Sequence, residues 1–459
     1  MVNGAPVSDS VKDPVGARIA AAGERSPEGI ARELGRLVTD GVLAPGDRLP
    51  TVREVAAALS VSPATVSAAW QALARAGVIV SRGRAGSFVR APRRAWLTPR
   101  VKGLSGAAPA GWDLASGMPD PALLPPLRAA FERVDLRAGA GRYHDVPVLP
   151  ELADVLRESW PSRVETLTVV DGAMDGIARV MEQTVRFGDR VAIESPGYPY
   201  FFDLLDALGA EAVPVEVDDE GMVPASLTRA LARHPSAVLL QPRAQNPTGA
   251  SMTSMRAQQL AGAIRAARDG DRVLVVEDDH SGLIAMAPAV TLARWLPDQV
   301  VQVRSFSKSH GADLRIAAMG GPSRVLDRVI ARRMLGPGWT SRLLQSVLLD
   351  MLTRPDSVSA VKRARLAYRD RQEAMVGALR REGIPLVPPD GINLWVPVLE
   401  ERAALVELAA AGIVVAAGAP FVAGETHAPH VRVTAGLIAL GDAQGAAAAL
   451  AAAARATGR

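Results

Sequence analysis

The chain of 459 residues contains no cysteine. Disulfide crosslinks, thiol nucleophiles and thiolate metal sites are therefore excluded, and nothing points to an oxidising compartment. No stretch reaches the roughly 18 consecutive apolar residues that a membrane span needs. The first 25 residues carry charges, Pro and Gly and lack the apolar core of a signal peptide. These absences predict a cytoplasmic protein with no membrane partner. His427 and His430 form His-x-x-His, but two ligands without cysteine are a weak metal pair, so no metal is expected. What is present, 48% hydrophobic and 22% charged residues, is ordinary for globular protein. The length predicts two or three domains.

The net charge of +4 is unevenly spread. From Glu24 to Lys102 there are 13 Lys/Arg against 6 Asp/Glu, a balance of +7. Residues 1–23 are neutral, so the rest of the chain carries −3. A small basic segment thus precedes a large, slightly acidic body, and double-stranded DNA is the first partner to consider. On charge alone, a merely solvated basic surface explains it equally well.

Residues 1–24 are rich in Gly, Ala, Pro and Ser without period and predict a disordered tail. From Pro27 to Gly41, Ile30, Leu34, Leu37 and Val38 recur at helical spacing. A turn at 44–47 leads to a helix from Thr51 to Leu59. Ser62 then reads as an N-cap, with Pro63 at the first helical position, for a helix to about Ala76. Val78–Val80 and Ser87–Val89 predict a β-hairpin. Three helices and a hairpin, spanning 25–90, are the order of a winged helix-turn-helix. Residues 91–112, rich in Pro and Gly, predict a linker.

Strands and helices alternate beyond it, from 113 to 455. Strands are expected at 167–170, 190–194, 237–241, 272–277 and 300–304, giving an α/β body with a mainly parallel sheet. Chemistry then belongs at the carboxyl ends of the strands. The Ala-rich stretch 443–456 predicts a plain helix.

The run from Leu43 to Ala56 (LAPGDRLPTVREVA) and the run from Val61 to Trp70 (VSPATVSAAW), with Leu73 and Gly77 behind it, resemble the GntR family signature. Ser62, Ala64, Thr65 and Ser67 fall on the first turns of the second helix, where base edges are reached. Arg53 suits a phosphate contact, and Arg82 and Arg84 fall at the wing tip. Many relatives carry Arg where this chain has Pro63. A protein-docking use of the same module stays open.

In the body, each requirement of pyridoxal 5′-phosphate has a candidate. Lys308, after Ser305-Phe306-Ser307, would carry the cofactor as an internal aldimine. Ser305, Ser307 and Arg315 suit its phosphate, as do the free N–H groups of Gly172, Ala173 and Met174 where a helix opens. Asp278 ends a buried strand and would pair with a pyridinium. Asn246 offers an amide to the ring, and Tyr198 a stacking surface. Singly, Tyr198 reads equally as core, Asn246 as a turn residue and Gly172 as a tight turn; together, after successive strands, they read as one site.

That order is similar to fold-type I aminotransferases, and with the GntR-like head the chain resembles the MocR subfamily of bacterial regulators. The resemblance implies that Arg432 holds the α-carboxylate of an amino-acid substrate or effector and that Gly117 lines its pocket. It also implies that Tyr143 reaches the partner subunit's cofactor in a homodimer. Two departures stand out. His280 replaces a usual Tyr beside the cofactor's phenolic oxygen; it would donate to that oxygen and titrate near neutrality. Ser309-His310-Gly311 replaces a stretch where relatives often have Leu and Pro, and His310 is a candidate to enter the site.

Three uses of the chain compete. It is a regulator sensing an amino acid or amine through the aldimine at Lys308, an aminotransferase with an accessory head, or a cofactor-free dimerisation platform. A basic head on a linker has no obvious use in catalysis, which favours the regulator.

Overall fold

The computed structural model describes residues 25–44, 46–75, 78–81, 86–90, 97–102, 111–134, 145–424 and 428–457. The expected disordered tail, Arg82, Arg84, Tyr143 and His427 lie outside these residues.

The head is built by local rules. Its first helix, Pro27–Thr39, is capped by Ser26, whose hydroxyl accepts the Gly29 N–H at 3.0 Å. Its second, Val52–Leu59, opens on a capping box. Thr51 Oγ1 accepts from Glu54 N at 3.3 Å and Glu54 Oε2 accepts from Thr51 N at 2.7 Å. Its third, Pro63–Arg75, follows Ser62, whose Oγ accepts the Thr65 N–H at 3.1 Å. Strands β1 (Ile79–Ser81) and β2 (Ser87–Val89) pair antiparallel, Val80 opposite Phe88. Ile30, Leu34, Val55, Leu59, Val66, Trp70, Leu73, Ile79 and Val89 close one core among the helices and hairpin. The expected three helices and hairpin are therefore present.

In the body, β3 (Trp112–Asp113) precedes β4 (Thr166–Val170), β5 (Arg190–Ser195), β6 (Glu211–Asp218), β7 (Gly221–Met222), β8 (Ala237–Leu240), β9 (Leu274–Asp279), β10 (Val300–Ser305) and β11 (Ala317–Gly321). Eight of these form one sheet in the order β4-β11-β10-β9-β8-β5-β6-β7. Strands β10, β9, β8 and β5 run parallel, whereas β11 runs antiparallel to both β10 and β4. The sheet is mainly parallel, as expected. Its apolar strands are buried on both faces, as a helix-covered sheet requires.

Three boundaries differ from expectation. Strand β9 starts at Leu274 and runs through Asp279, so both aspartates belong to the strand and point to opposite faces. Strand β11, rich in Ala and Gly, had no β-branched signal to reveal it. The expected linker contains a four-residue helix, Pro99–Lys102, and its last residue begins β3.

The chain then forms a 27-residue helix, Pro355–Arg381, and strands β12 (Leu394–Pro397), β13 (Ile413–Val414), β14 (Ala416–Ala417) and β15 (His430–Val433). A three-stranded sheet in the order β12-β15-β14 places Arg432 opposite both Trp395 and Ala416. The Ala-rich helix Ala443–Ala454 packs its apolar face on this layer with Leu394, Val396 and Leu408.

Candidate functional site

The parallel strands deliver their next residues to one end of the sheet. Gly172 follows β4, Tyr198 follows β5, Asn246 lies in the loop after β8, Asp278 is the penultimate residue of β9, and Lys308 sits in a short helix, Ser307–His310, after β10. Arg432 reaches the same place from β15.

Lys308 Nζ donates to the Gly117 carbonyl at 2.5 Å. Gly117 has φ +64°, and a Cβ there would lie 2.4 Å from Arg432 Nη1. The positive φ favours glycine, and a side chain there would displace the Arg432 guanidinium. Arg432, 3% exposed, donates to the Ala115 carbonyl and lies over the Phe421 ring at 5.4 Å. Burial, reinforced by the Arg432 charge, lowers the Lys308 amine from 10.5 to about 8. Burial also lowers Arg432 itself, to about 10.

Asp278 is 2% exposed. Its Oδ2 accepts from Gln241 Nε2 at 2.8 Å, whereas its Oδ1 has no hydrogen-bond partner. Burial raises its carboxyl to about 7, with the Asp279 charge adding to the rise. An orphaned carboxylate oxygen in the interior is costly unless a cationic N–H meets it. The pyridine nitrogen of the expected cofactor is such a partner.

Opposite, Gly172 caps the helix Ala173–Thr184 at φ +102° with no side-chain cap. A Cβ on Gly172 would stand 2.6 Å from Arg315 Nη2, which donates to the Asp171 carbonyl at 2.9 Å. Open helix N–H groups and a guanidinium thus meet in one place, an anion cradle. Ser305 Oγ accepts from Ser307 N at 3.2 Å, which leaves its hydroxyl proton free to donate. The residues present therefore fit pyridoxal phosphate at both its ring nitrogen and its phosphate.

Asn246 is buried, with Oδ1 unpartnered and its N–H donating to Gln241 Oε1 at 2.8 Å. Burial pushes the Tyr198 hydroxyl above its ordinary range, and its ring packs 5.3 Å from those of Tyr200 and Phe201.

Two histidine expectations need correction. His280 Nε2 lies 2.7 Å from the Ala244 carbonyl, so its proton is already committed there and not to a phenolic oxygen. Burial, helped by the Lys308 charge, lowers it to about 4, well below neutrality. His310 does not join the lysine. Its Nδ1 meets Ser309 Oγ at 2.8 Å, its ring lies 5.9 Å from Phe306, and it lines a separate cavity.

Sequence reasoning missed Gln241 and Glu194. Gln241 ties Asp278 to the Asn246 backbone. Glu194 Oε2 accepts from Gln241 N at 3.0 Å, and burial raises its carboxyl to about 8. The only signal for them was a polar residue at the end of an apolar strand. Lysine is also rare: of the four in the chain, Lys308 is the one among the described residues that follows a strand of the large sheet.

In the head, Arg53, Ser62 and Ala64 are exposed, and Thr65 and Ser67 are half-buried. The Ser62 and Thr65 hydroxyls are 2.8 Å apart and hydrogen-bond each other on that surface. Among the described residues no helix is long and apolar enough to cross a membrane.

The family of bacterial regulatory proteins of the gntR family matches residues 27–89, and aminotransferase class I and II matches residues 111–449. The vitamin B6 salvage pathway transcriptional repressor PtsJ of Salmonella typhimurium is 35% identical over 402 residues, covering 86% of this chain and 91% of its own. The HTH-type transcriptional regulator TauR of Rhodobacter capsulatus is 30% identical, covering 79% of this chain and 82% of its own. Among solved structures, the α-aminoadipate aminotransferase LysN of Thermus thermophilus, complexed with N-(5′-phosphopyridoxyl)-L-leucine, is 22% identical. It superposes with a TM-score of 0.67 over 78% of this chain and 96% of that one. An aminotransferase class I and II fold implies pyridoxal phosphate dependence, and a GntR helix-turn-helix implies DNA binding. Head and body matched in this order, along relatives of nearly this length, mean that the chain belongs to the MocR-type transcriptional regulators.

Proposed function

We propose that this regulator works as a homodimer that binds an operator through its head and senses an amino acid or amine at Lys308. The observation that carries the reading is the buried trio of Lys308, Asp278 and Arg432, with Asp278 Oδ1 left without a partner. Pyridoxal phosphate, when bound, supplies an aldehyde that links reversibly to amines and a ring that withdraws electrons.

The chain's own residues do the rest. The depressed Lys308 pKa makes roughly 100- to 1000-fold more neutral amine available at neutral pH than an ordinary lysine would. Asp278 Oδ1 receives the ring N–H, and Gln241 fixes the carboxylate's other oxygen. Gly172, Ala173, Met174, Ser305, Ser307 and Arg315 hold the phosphate, while Asn246 and Tyr198 flank the ring. Arg432, with Gly117 beside it, receives a carboxylate and so selects α-amino acids over simple amines. Tyr143 reaches the partner's site. In the head, Arg53, with Arg82 and Arg84, holds phosphates. Ser62, Ala64, Thr65 and Ser67 present to bases. An effector that binds two dimer states unequally shifts the operator affinity by that difference.

The test is operator footprinting upstream of the chain's own and neighbouring genes, with full-length protein, cofactor and single amino acids. Protection that changes with one amino acid, without turnover, supports the reading. Rapid keto-acid formation with no operator binding would identify a working aminotransferase instead, with Lys308 moving the substrate proton. The Salmonella relative, named as a vitamin B6 salvage pathway repressor, favours a second reading in which cofactor occupancy is itself the signal. Operator affinity that responds to pyridoxal phosphate alone, and to no amino acid, would establish that one.

A further inference from the structure

Behind the lysine turn lies a second cavity of about 250 Å³. Phe306 and His310, on either side of Lys308, form part of its wall. Arg304 from β10 and Lys362 and Arg365 from the helix Pro355–Arg381 add three cations, and no carboxylate lines it. Apart from Ser159, the remaining wall is Leu, Val and Met.

Arg304 is only loosely paired here, its guanidinium lying over the Trp160 ring at 4.6 Å. Asp279 is gripped bidentately by Arg243, at 2.7 and 2.8 Å. Arg304 is a second cation for the same carboxylate and comes only to 3.7 Å. It is 3% exposed, its terminal nitrogens bond Ser159 Oγ and O, and its Nε has no hydrogen-bond partner. Arg365 Nη2 bonds the Met286 carbonyl, and its buried Nε is likewise unpartnered. His310 is buried and neutral, its Nδ1 facing Ser309. A buried guanidinium with an unmet N–H is expensive, and an anion beside it offsets the cost. The apolar wall favours a hydrocarbon body on that anion.

We propose that this cavity is a second ligand site, distinct from the cofactor pocket, that takes a small organic acid with an apolar tail. The carboxylate lies between Arg304 and Arg365, and the tail lies along Met351, Leu352 and Val358. An occupant bears on the same four-residue turn that carries Lys308.

Calorimetric titration of the cofactor-loaded full chain with hexanoate, hexan-1-ol and hexyltrimethylammonium tests this. Hexanoate is expected to bind at least tenfold more tightly than the alcohol, and the quaternary cation, which cannot react with the cofactor, not at all. Arg365→Met should weaken hexanoate at least tenfold and leave hexanol unchanged. Val358→Trp, which fills the cavity from the helix, should abolish both; retention of the visible cofactor band shows each variant folded. Arg432→Gln should leave hexanoate binding intact. The proposal falls if alcohol and acid bind alike. It falls equally if Arg432→Gln, rather than Arg365→Met, removes hexanoate, because the anion then sits in the cofactor pocket.

Discussion

The head and the body keep their polar atoms in opposite ways. Among the described residues of the head, no buried side-chain nitrogen or oxygen lacks a partner. Its hydroxyls cap helices and its core is apolar. The body instead buries Glu194 Oε1, Asn246 Oδ1, Asp278 Oδ1 and Arg432 Nε with nothing to bond. A module that binds from its surface can satisfy its interior completely. A module that encloses a small molecule must leave some interior bonds for that molecule to complete.

The contrast can be broken most severely at Lys308. Lys308→Ala is expected to lose the visible cofactor band entirely after gel filtration, while the head still melts as before; a persisting band would remove the lysine from its role. Next comes Trp70→Ala, which empties the centre of the head's core. It should cost about 3–5 kcal/mol and abolish operator binding, with the cofactor band unchanged. A simultaneous loss of that band would mean that the two parts do not fold separately.

Asp278→Asn keeps the shape and deletes the charge. Cofactor affinity by absorbance titration should fall about 10- to 100-fold, the value of a charge-assisted bond; an unchanged affinity would show that the orphaned oxygen has another purpose. Cofactor capture also has a pH signature. Only the neutral amine attacks, so the capture rate should rise about tenfold per pH unit below 8 and flatten above it. A midpoint near 10 would put Lys308 in water. The smallest effect belongs to Thr51→Ala, which opens the capping box and should lower the head's stability by about 1 kcal/mol, read by its melting transition.

The same contrast explains what was legible in the sequence. The head is local: Ser26, Thr51 and Ser62 cap helices within three residues of their partners, so spacing alone located every element. The parallel strands announced themselves as apolar runs. Strand β11 did not, because Ala-Ala-Met-Gly-Gly lacks the side chains that mark strands. The candidate cofactor residues were visible as an ordered series, but their electrostatics were not. His280 looked like a neutral-pH switch until its burial and its bond to Ala244 were known. Gln241 gained meaning only when β8 and β9 were seen side by side.

Gly117 has a consequence for how such a regulator can diverge. Its carbonyl receives the lysine, and the space where its side chain would be holds the arginine. A larger residue there shifts the Arg432 guanidinium and strains the turn whose carbonyl meets Lys308. On the proposed reading, this position offers no easy route to a new effector. Selectivity is then retuned at neighbours of the arginine such as Asn393, whose Oδ1 faces Arg432 Nη1, while Gly117 stays fixed between the two cations.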